Sequence, residues 1–89
     1  VEETSAEEEL RTVAEGAARM GAGDEIGAIG AWRAAVIADS GLLPAYLALV
    51  DTFLHLGQPG LALQVARSGA AALPTSVELR DRLQRLERR

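Results

Sequence analysis

Apolar positions along this chain recur every three or four residues, the spacing of amphipathic helices, and glycine or proline interrupts each such run. The pattern predicts five helices joined by turns of a few residues, which is typical of antiparallel helical hairpins. In chain order, we expect helices from Ala6 to Met20, from the cap Asp24 to Ala38, from Pro44 to Gly57, from Pro59 to the residue before Pro74, and from a Thr75–Glu78 capping box to the C-terminus. The predicted fold class is all-α.

The middle of the chain repeats itself with a period of 34 residues. A shift of 34 superposes residues of like size and type at six positions: Gly23 on Gly57, Ala28 on Ala62, Ile29 on Leu63, Ala31 on Val65, Arg33 on Arg67 and Ala38 on Ala72. The period divides the chain into an acidic arm or helix start at residues 1–9, a first repeat at about 10–42, a second at 43–76 and a last helix at 77–89. Such a period predicts a fold of stacked similar units.

Large and small residues stand at fixed places within each unit. The second unit carries Tyr46-x2-Leu49-Val50-x2-Phe53, Gly57, Ala62-x3-Ala66, Gly69 and Pro74. The first carries Val13-x2-Gly16-Ala17-x2-Met20, Gly23, Ala28-x3-Trp32 and Ala35, with Ser40 in place of the proline. These units resemble the tetratricopeptide repeat family, whose pattern is W-x2-L-G-x2-Y, then A-x3-F, then Pro. The chain departs from it at Val50, where the family has Gly, and at Ala66, where it has an aromatic residue.

The resemblance implies a short right-handed solenoid of two helix-turn-helix repeats and a C-terminal capping helix. The capping helix continues the phase at Leu83, with polar residues in place of aromatic ones. The positions expected to hold the repeats together are Gly16, Met20, Ala28, Trp32, Ala35, Tyr46, Leu49, Phe53, Ala62, Gly69, Pro74 and Leu83. Small residues among them would lie where helices cross closely, and the aromatic ones would fill the gaps between hairpins.

In the resembled family, the first helix of each hairpin lines a concave surface that binds peptides. On the third helix of this chain, the expected contacts are Leu47, Asp51, Leu54 and His55. On the last helix, the arginines can pair locally with Glu78, Asp81 and Glu87, and Arg85 and Arg88 would orient an acidic group of the partner. The predicted partner is therefore an apolar peptide or an amphipathic helix with an acidic end. An alternative is that further repeats, a dimer partner or the N-terminal arm cover these leucines.

Composition and charge remove several functional classes. Cysteine and lysine are absent, all nine basic residues are Arg, and the formal charge is −4. An acidic chain without a broad basic face is a poor nucleic-acid binder. The longest nearly apolar stretch, Ile26 to Ala38, contains Arg33 and is too short to span a bilayer. Without cysteine there is no disulfide and no thiolate metal site.

Motifs for catalysis or cofactor binding are nearly absent. His55 is the sole histidine, and the serines have no base at motif spacing. Gly21-x-Gly23-x3-Gly27 departs from a phosphate loop by one residue and has no Lys, which favours a turn between helices. The Glu7–Glu9 run suits a solvated helix start better than a metal site or an acidic interaction arm. We expect no enzyme activity, no metal and no cofactor.

The sequence thus predicts a non-catalytic protein–protein interaction module, an adaptor or part of a larger scaffold or regulator. An Ala- and Arg-rich, Lys-free composition suggests a bacterial, GC-rich source. Because the chain begins at Val1 without Met, we expect a piece of a longer protein, and because it has no signal or transmembrane segment, we expect it in the cytoplasm. Two other interpretations stay open. One is a self-associating structural module, such as a homodimer. The other is a regulatory or docking domain of a larger enzyme or transcription factor.

Overall fold

A computed structural model describes residues 4–88 of the chain, with side chains from residue 11 onward. This part of the chain consists of helices joined by short turns. Five helices are present in this part of the chain: α1 (Thr4–Gly21), α2 (Glu25–Ala38), α3 (Leu43–His55), α4 (Pro59–Ala72) and α5 (Val77–Glu87). The all-α prediction is confirmed, because residues 4–88 contain no strand. Residues 1–3 of the predicted acidic segment lie outside the described residues, whereas residues 4–9 belong to α1.

Most helix boundaries follow from the local sequence. The Asp24 carboxylate accepts a hydrogen bond from the Gly27 amide at 2.9 Å and so caps α2. That amide, followed by the Arg19 guanidinium, lowers the pKa of Asp24. Gly23 and Gly57 have φ of +86° and +74°, the left-handed conformation that ends α1 and α3. The predicted cap and both turn glycines are therefore confirmed.

Several predicted boundaries are wrong by one or two residues, among them the starts of three helices. The fifth helix is capped by Ser76, whose hydroxyl accepts from the Leu79 amide at 3.3 Å, instead of by Thr75. Two hydroxyl residues stand side by side here, and both are good caps, so local pattern cannot choose between them. The third helix begins at Leu43, one residue before Pro44, and the first begins at Thr4 instead of Ala6.

The core lies between consecutive helices and between α3 and α5. Extensive contacts join α1 to α2, α2 to α3, α3 to α4, and α4 to α5, and a much smaller contact joins α3 to α5. The centre of the core is formed by residues that are at most 2% exposed: Ala28, Ala35, Ala45, Leu49, Val50, Ala62, Ala66 and Leu79. Because five of these eight are alanines, the helices pack through close backbone approach more than through large side chains.

Two glycines lie directly against aromatic rings. A Cβ at Gly16 of α1 would come within 2.6 Å of Trp32 Cε2 on α2. A Cβ at Gly69 of α4 would meet Leu79 Cδ1 at 2.9 Å and the Tyr46 ring at 3.0 Å. Both rings are nearly buried, and both bond to a backbone carbonyl: Trp32 Nε1 donates to Val13 O at 3.2 Å, and Tyr46 OH donates to Ser40 O at 2.8 Å.

Of the twelve positions expected to hold the repeats together, nine are buried. Met20 and Leu83 are half-buried and pack against the core, and Pro74 is exposed in the turn before α5. The molecule measures 45 × 31 × 16 Å between its Cα extremes. Since packed helix axes lie about 8–10 Å apart, a thickness of 16 Å leaves room for two helix layers. No helix in the described part of the chain has the length and apolar content needed to cross a bilayer.

Candidate functional site

An open depression of about 320 Å³ lies between α3 and α5, and we call it the α3–α5 groove. Its lining consists of two leucines and four charged residues: Asp51, Leu54, Asp81, Arg82, Arg85 and Leu86. Leu86 is nearly buried and belongs to the core, whereas Leu54 is half-buried and packs against the core from outside. The groove therefore offers an apolar floor surrounded by charged groups, which is the usual arrangement of a recognition surface.

Asp51 and Arg82 form a two-pronged ion pair across this groove. Arg82 Nε donates to Asp51 Oδ1 at 2.9 Å, and Arg82 Nη2 donates to Asp51 Oδ2 at 3.0 Å. The hydrogen bonds to Asp51 raise the pKa of Arg82 above its usual value. Such bidentate pairs fix geometry as well as charge. The pair therefore joins α3 to α5 and holds the Arg82 guanidinium in one position.

Arg85, one turn further on, is held much more loosely. Its partner is Asp81 on the same helix, with Arg85 Nη2 at 3.2 Å from Asp81 Oδ2. The two side chains are 75% and 50% exposed. Exposed pairs at this spacing contribute only about 0.3–0.5 kcal/mol. Arg85 can therefore leave Asp81 for a carboxylate of another molecule at small cost, whereas Arg82 would have to break two bonds to Asp51.

A second depression, of about 300 Å³, adjoins the groove on the side of α1. It is lined by Met20, Asp51, Thr52 and His55. Asp51 lines both depressions, so the two form one surface that extends from α1 across α3 to α5. Within the described residues, no buried side-chain polar atom lacks a hydrogen-bond partner. No buried side-chain polar atom of this surface therefore needs a ligand as its partner, and a partner would recognise the shape and the exposed charges.

The structure brings together some of the predicted contact residues. Asp51, Leu54 and Arg85 share the α3–α5 groove, and His55 lies beside Asp51 in the second depression. Leu47 is half-buried on α3 and Arg88 is exposed after α5, and both lie outside these two linings. Asp51 was expected to face the partner, but its carboxylate is already engaged by Arg82.

Five lining residues were absent from the predicted contact set: Met20, Thr52, Asp81, Arg82 and Leu86. Met20 was expected only as a repeat position. Leu86 continues the apolar spacing of Leu79 and Leu83 along α5, a signal that the sequence does contain. Nothing in the sequence marks Arg82, because its partner is 31 residues away.

The arginines of α5 were expected to pair with the nearby Glu78, Asp81 and Glu87. This is right for Arg85 and Asp81. It is wrong for Arg82, which pairs with Asp51, and for Glu87, which lies 3.8 Å from Arg67 of α4. Both corrected pairs join two helices. Side chains of α5 reach the neighbouring helices because α5 packs against both α3 and α4.

Features that suggested chemistry have structural explanations in this part of the chain. The glycine-rich segment is the turn between α1 and α2, where Gly23 supplies the left-handed residue and Gly27 donates to the Asp24 cap. His55 is exposed in the last turn of α3. Among residues whose side chains are described, no three His, Asp or Glu side chains are grouped so as to hold a metal ion.

Comparison with known proteins gives no relative. No protein-family model matches the sequence, and neither the curated proteins nor the solved structures yield a match. The geometry of the chain's own residues therefore has to support any functional proposal.

Proposed function

We propose that this chain is a protein–protein interaction module of tetratricopeptide type, without catalytic activity, that binds a peptide or helix of a partner in the α3–α5 groove. The observation that carries the proposal is the position of a weakly paired arginine, Arg85, beside the apolar floor formed by Leu54 and Leu86. A bound segment can bury an apolar side chain and pair a carboxylate at the same place.

The solenoid arrangement is part of this proposal and is supported by the contacts between helices. Besides its two chain neighbours, α3 packs against α5, the next helix but one, as stacking of successive units requires. Ala28 and Ala62, which are 34 residues apart, are both completely buried. In the proposed arrangement, α1, α3 and α5 form the layer that carries the groove, and α2 and α4 form the other layer.

The proposed partner carries an apolar side chain next to an acidic group. Leu54 is half-buried, so a partner side chain above it removes further apolar surface from water. Arg85 exchanges Asp81 for the partner's carboxylate, and Arg88, which pairs with no acid among residues 11–88, adds positive charge nearby. Arg82 stays on Asp51 and keeps the wall of the groove in place.

Affinity capture from a lysate of the source organism, followed by mass spectrometry, tests this proposal. The bait set contains wild type, Leu54→Asp and Arg85→Ala, with Leu61→Asp as a matched control because Leu61 is an exposed leucine of α4 outside the groove. We expect a protein that wild type and the control retain and both groove variants lose, at unchanged helicity by circular dichroism. The same proteins on all four baits, or recovery of the bait alone, contradicts the proposal.

A further inference from the structure

The outward face of α2 is apolar although it is exposed. Ile26 and Ile37 are 86% and 83% exposed, and because eleven residues make three helical turns, they lie on the same face. Arg33 lies between them on that face, and Glu25 is the only other charged residue of the helix. A helix that is apolar all round is normally covered on every side. The exposed isoleucines therefore indicate a face that something else covers.

A depression of about 230 Å³ adjoins this face, between α2 and α4. Val36, Ile37 and Val65 supply apolar walls, and Leu49, which is 1% exposed, is the deepest lining residue. Arg33 stands at its edge, and none of its lining residues is acidic. The depression therefore fits an apolar side chain that is accompanied by a negative charge.

Arg33 is available for such a charge. Among residues 11–88 it forms no ion pair and no side-chain hydrogen bond. Arg67, its counterpart 34 residues later on α4, lies 3.8 Å from Glu87. The residues 34 positions after Ile26 and Ile37 are Gly60 and Ala71, so α4 has no apolar face that matches the one on α2. Within residues 11–88, α2 thus combines an apolar face with an unpaired cation, and α4 does not.

A second copy of the chain fits this face poorly. If two α2 helices cross antiparallel with Ile26 against Ile37, the two Arg33 residues are offset by three positions, which is about 4.5 Å along the axis. A parallel pairing sets them directly opposite. In either case like charges meet at the centre of the contact, with no acidic residue on the face to separate them. Charge complementarity instead requires a carboxylate on the partner.

We propose that the outward face of α2 and the adjoining depression form a second docking surface, which binds an acidic amphipathic helix of another protein. The partner inserts an apolar side chain above Leu49 and places a carboxylate on Arg33. Its other apolar residues cover Ile26 and Ile37. This surface is separate from the α3–α5 groove, so the two proposals stand or fall independently.

Two synthetic peptides test the charge requirement. Both are alanine-based helices with two leucines eleven residues apart, and they differ in one residue between the leucines, Glu in one and Lys in the other. Each is titrated into the ¹⁵N-labelled chain. We expect the Glu peptide to shift the amide signals of Ile26, Arg33 and Ile37, and to bind at least about tenfold more tightly than the Lys peptide. Equal affinities, no binding at millimolar peptide, or shifts confined to the α3–α5 groove overturn the proposal.

Variants locate the site. Arg33→Glu reverses the preference so that the Lys peptide binds more tightly, and Ile37→Asp weakens the Glu peptide at least about tenfold because a charge then faces an apolar contact. Val77→Asp is the matched control, since Val77 is 70% exposed at the start of α5, and it leaves both affinities unchanged. Leu54→Asp, which disrupts the α3–α5 groove, also leaves them unchanged. If the wild type forms dimers in sedimentation velocity and Ile37→Asp abolishes them, a second copy occupies the face and the proposal is wrong.

Discussion

The helix pairs α1–α2 and α3–α4 each place a glycine against an aromatic ring, but on opposite helices. In the first pair the glycine, Gly16, is on α1 and the ring, Trp32, is on α2. In the second pair the ring, Tyr46, is on α3 and the glycine, Gly69, is on α4. Each contact therefore needs one large and one minimal residue, and either helix can supply either one. Both contacts combine an aromatic ring with a residue that has no side chain, and the helix that carries the ring differs between the two pairs.

The two contacts also differ in how tightly the glycine is enclosed. All three atoms nearest to a Cβ at Gly16 belong to the Trp32 indole, a rigid group whose position is fixed by its bond to Val13 O. At Gly69 the nearest atom is Cδ1 of Leu79, the end of a flexible side chain, and the Tyr46 ring lies slightly further away. The second contact therefore has more room to adjust than the first.

The largest expected effect is that of Trp32→Ala, which empties the first contact. The substitution removes a nearly buried indole and its hydrogen bond, so we expect a loss of about 3–5 kcal/mol in the free energy of unfolding, measured by urea denaturation. A loss below about 1 kcal/mol would mean that the indole does not hold α1 on α2.

Gly16→Ala and Gly69→Ala test directly whether the contact at Gly16 is packed more tightly than the contact at Gly69. Gly16→Ala pushes a methyl group into a fixed ring and should cost about 1–3 kcal/mol. Gly69→Ala first meets the end of a flexible leucine, with the Tyr46 ring at 3.0 Å, so less has to move. Both substitutions gain about 1 kcal/mol of helix propensity, and at Gly69 this gain should keep the net effect below about 1 kcal/mol. Urea denaturation of both variants gives the comparison. Equal costs, or a larger cost at Gly69, contradict it.

A third effect concerns the hydroxyl that distinguishes the second ring. Tyr46→Phe removes a bond to Ser40 O and should cost about 1 kcal/mol at neutral pH. Burial, and after it the charge of Asp39, raises the pKa of Tyr46 above 10.0. Folding thus favours the neutral phenol. Its contribution to the free energy of unfolding is fully present below pH 10 and is lost as the pH rises through the higher pKa of the folded state.

Thermal melting between pH 8 and about pH 11 measures that contribution. The chain has one tyrosine, so wild type should lose more stability than Tyr46→Phe over the alkaline part of this range. Parallel curves for the two proteins would show that Tyr46 titrates alike in the folded and unfolded states.

Local signals in the sequence were enough to predict the helices, and contacts between distant residues were not. Asp24, Gly57 and Pro59 act on the backbone within a few residues of their own position. Asp24 and Pro59 lie where the pattern predicts that a helix begins, and Gly57 lies where it predicts that one ends. The Asp51–Arg82 pair joins residues far apart in the chain, and no spacing rule connects them. Ile26 and Ile37 are apolar like the core residues, so periodicity alone gives no reason to expect them on the surface.

The contact of every helix with its nearest neighbours in the chain also determines how the protein folds. Extensive contacts join consecutive helices, and the Asp51–Arg82 bonds span 31 residues. Short loops close at low entropic cost, and all-helical chains with such local contacts fold within microseconds to milliseconds. We expect adjacent helix pairs to form before the α3–α5 groove, whose ion pair joins residues 31 positions apart.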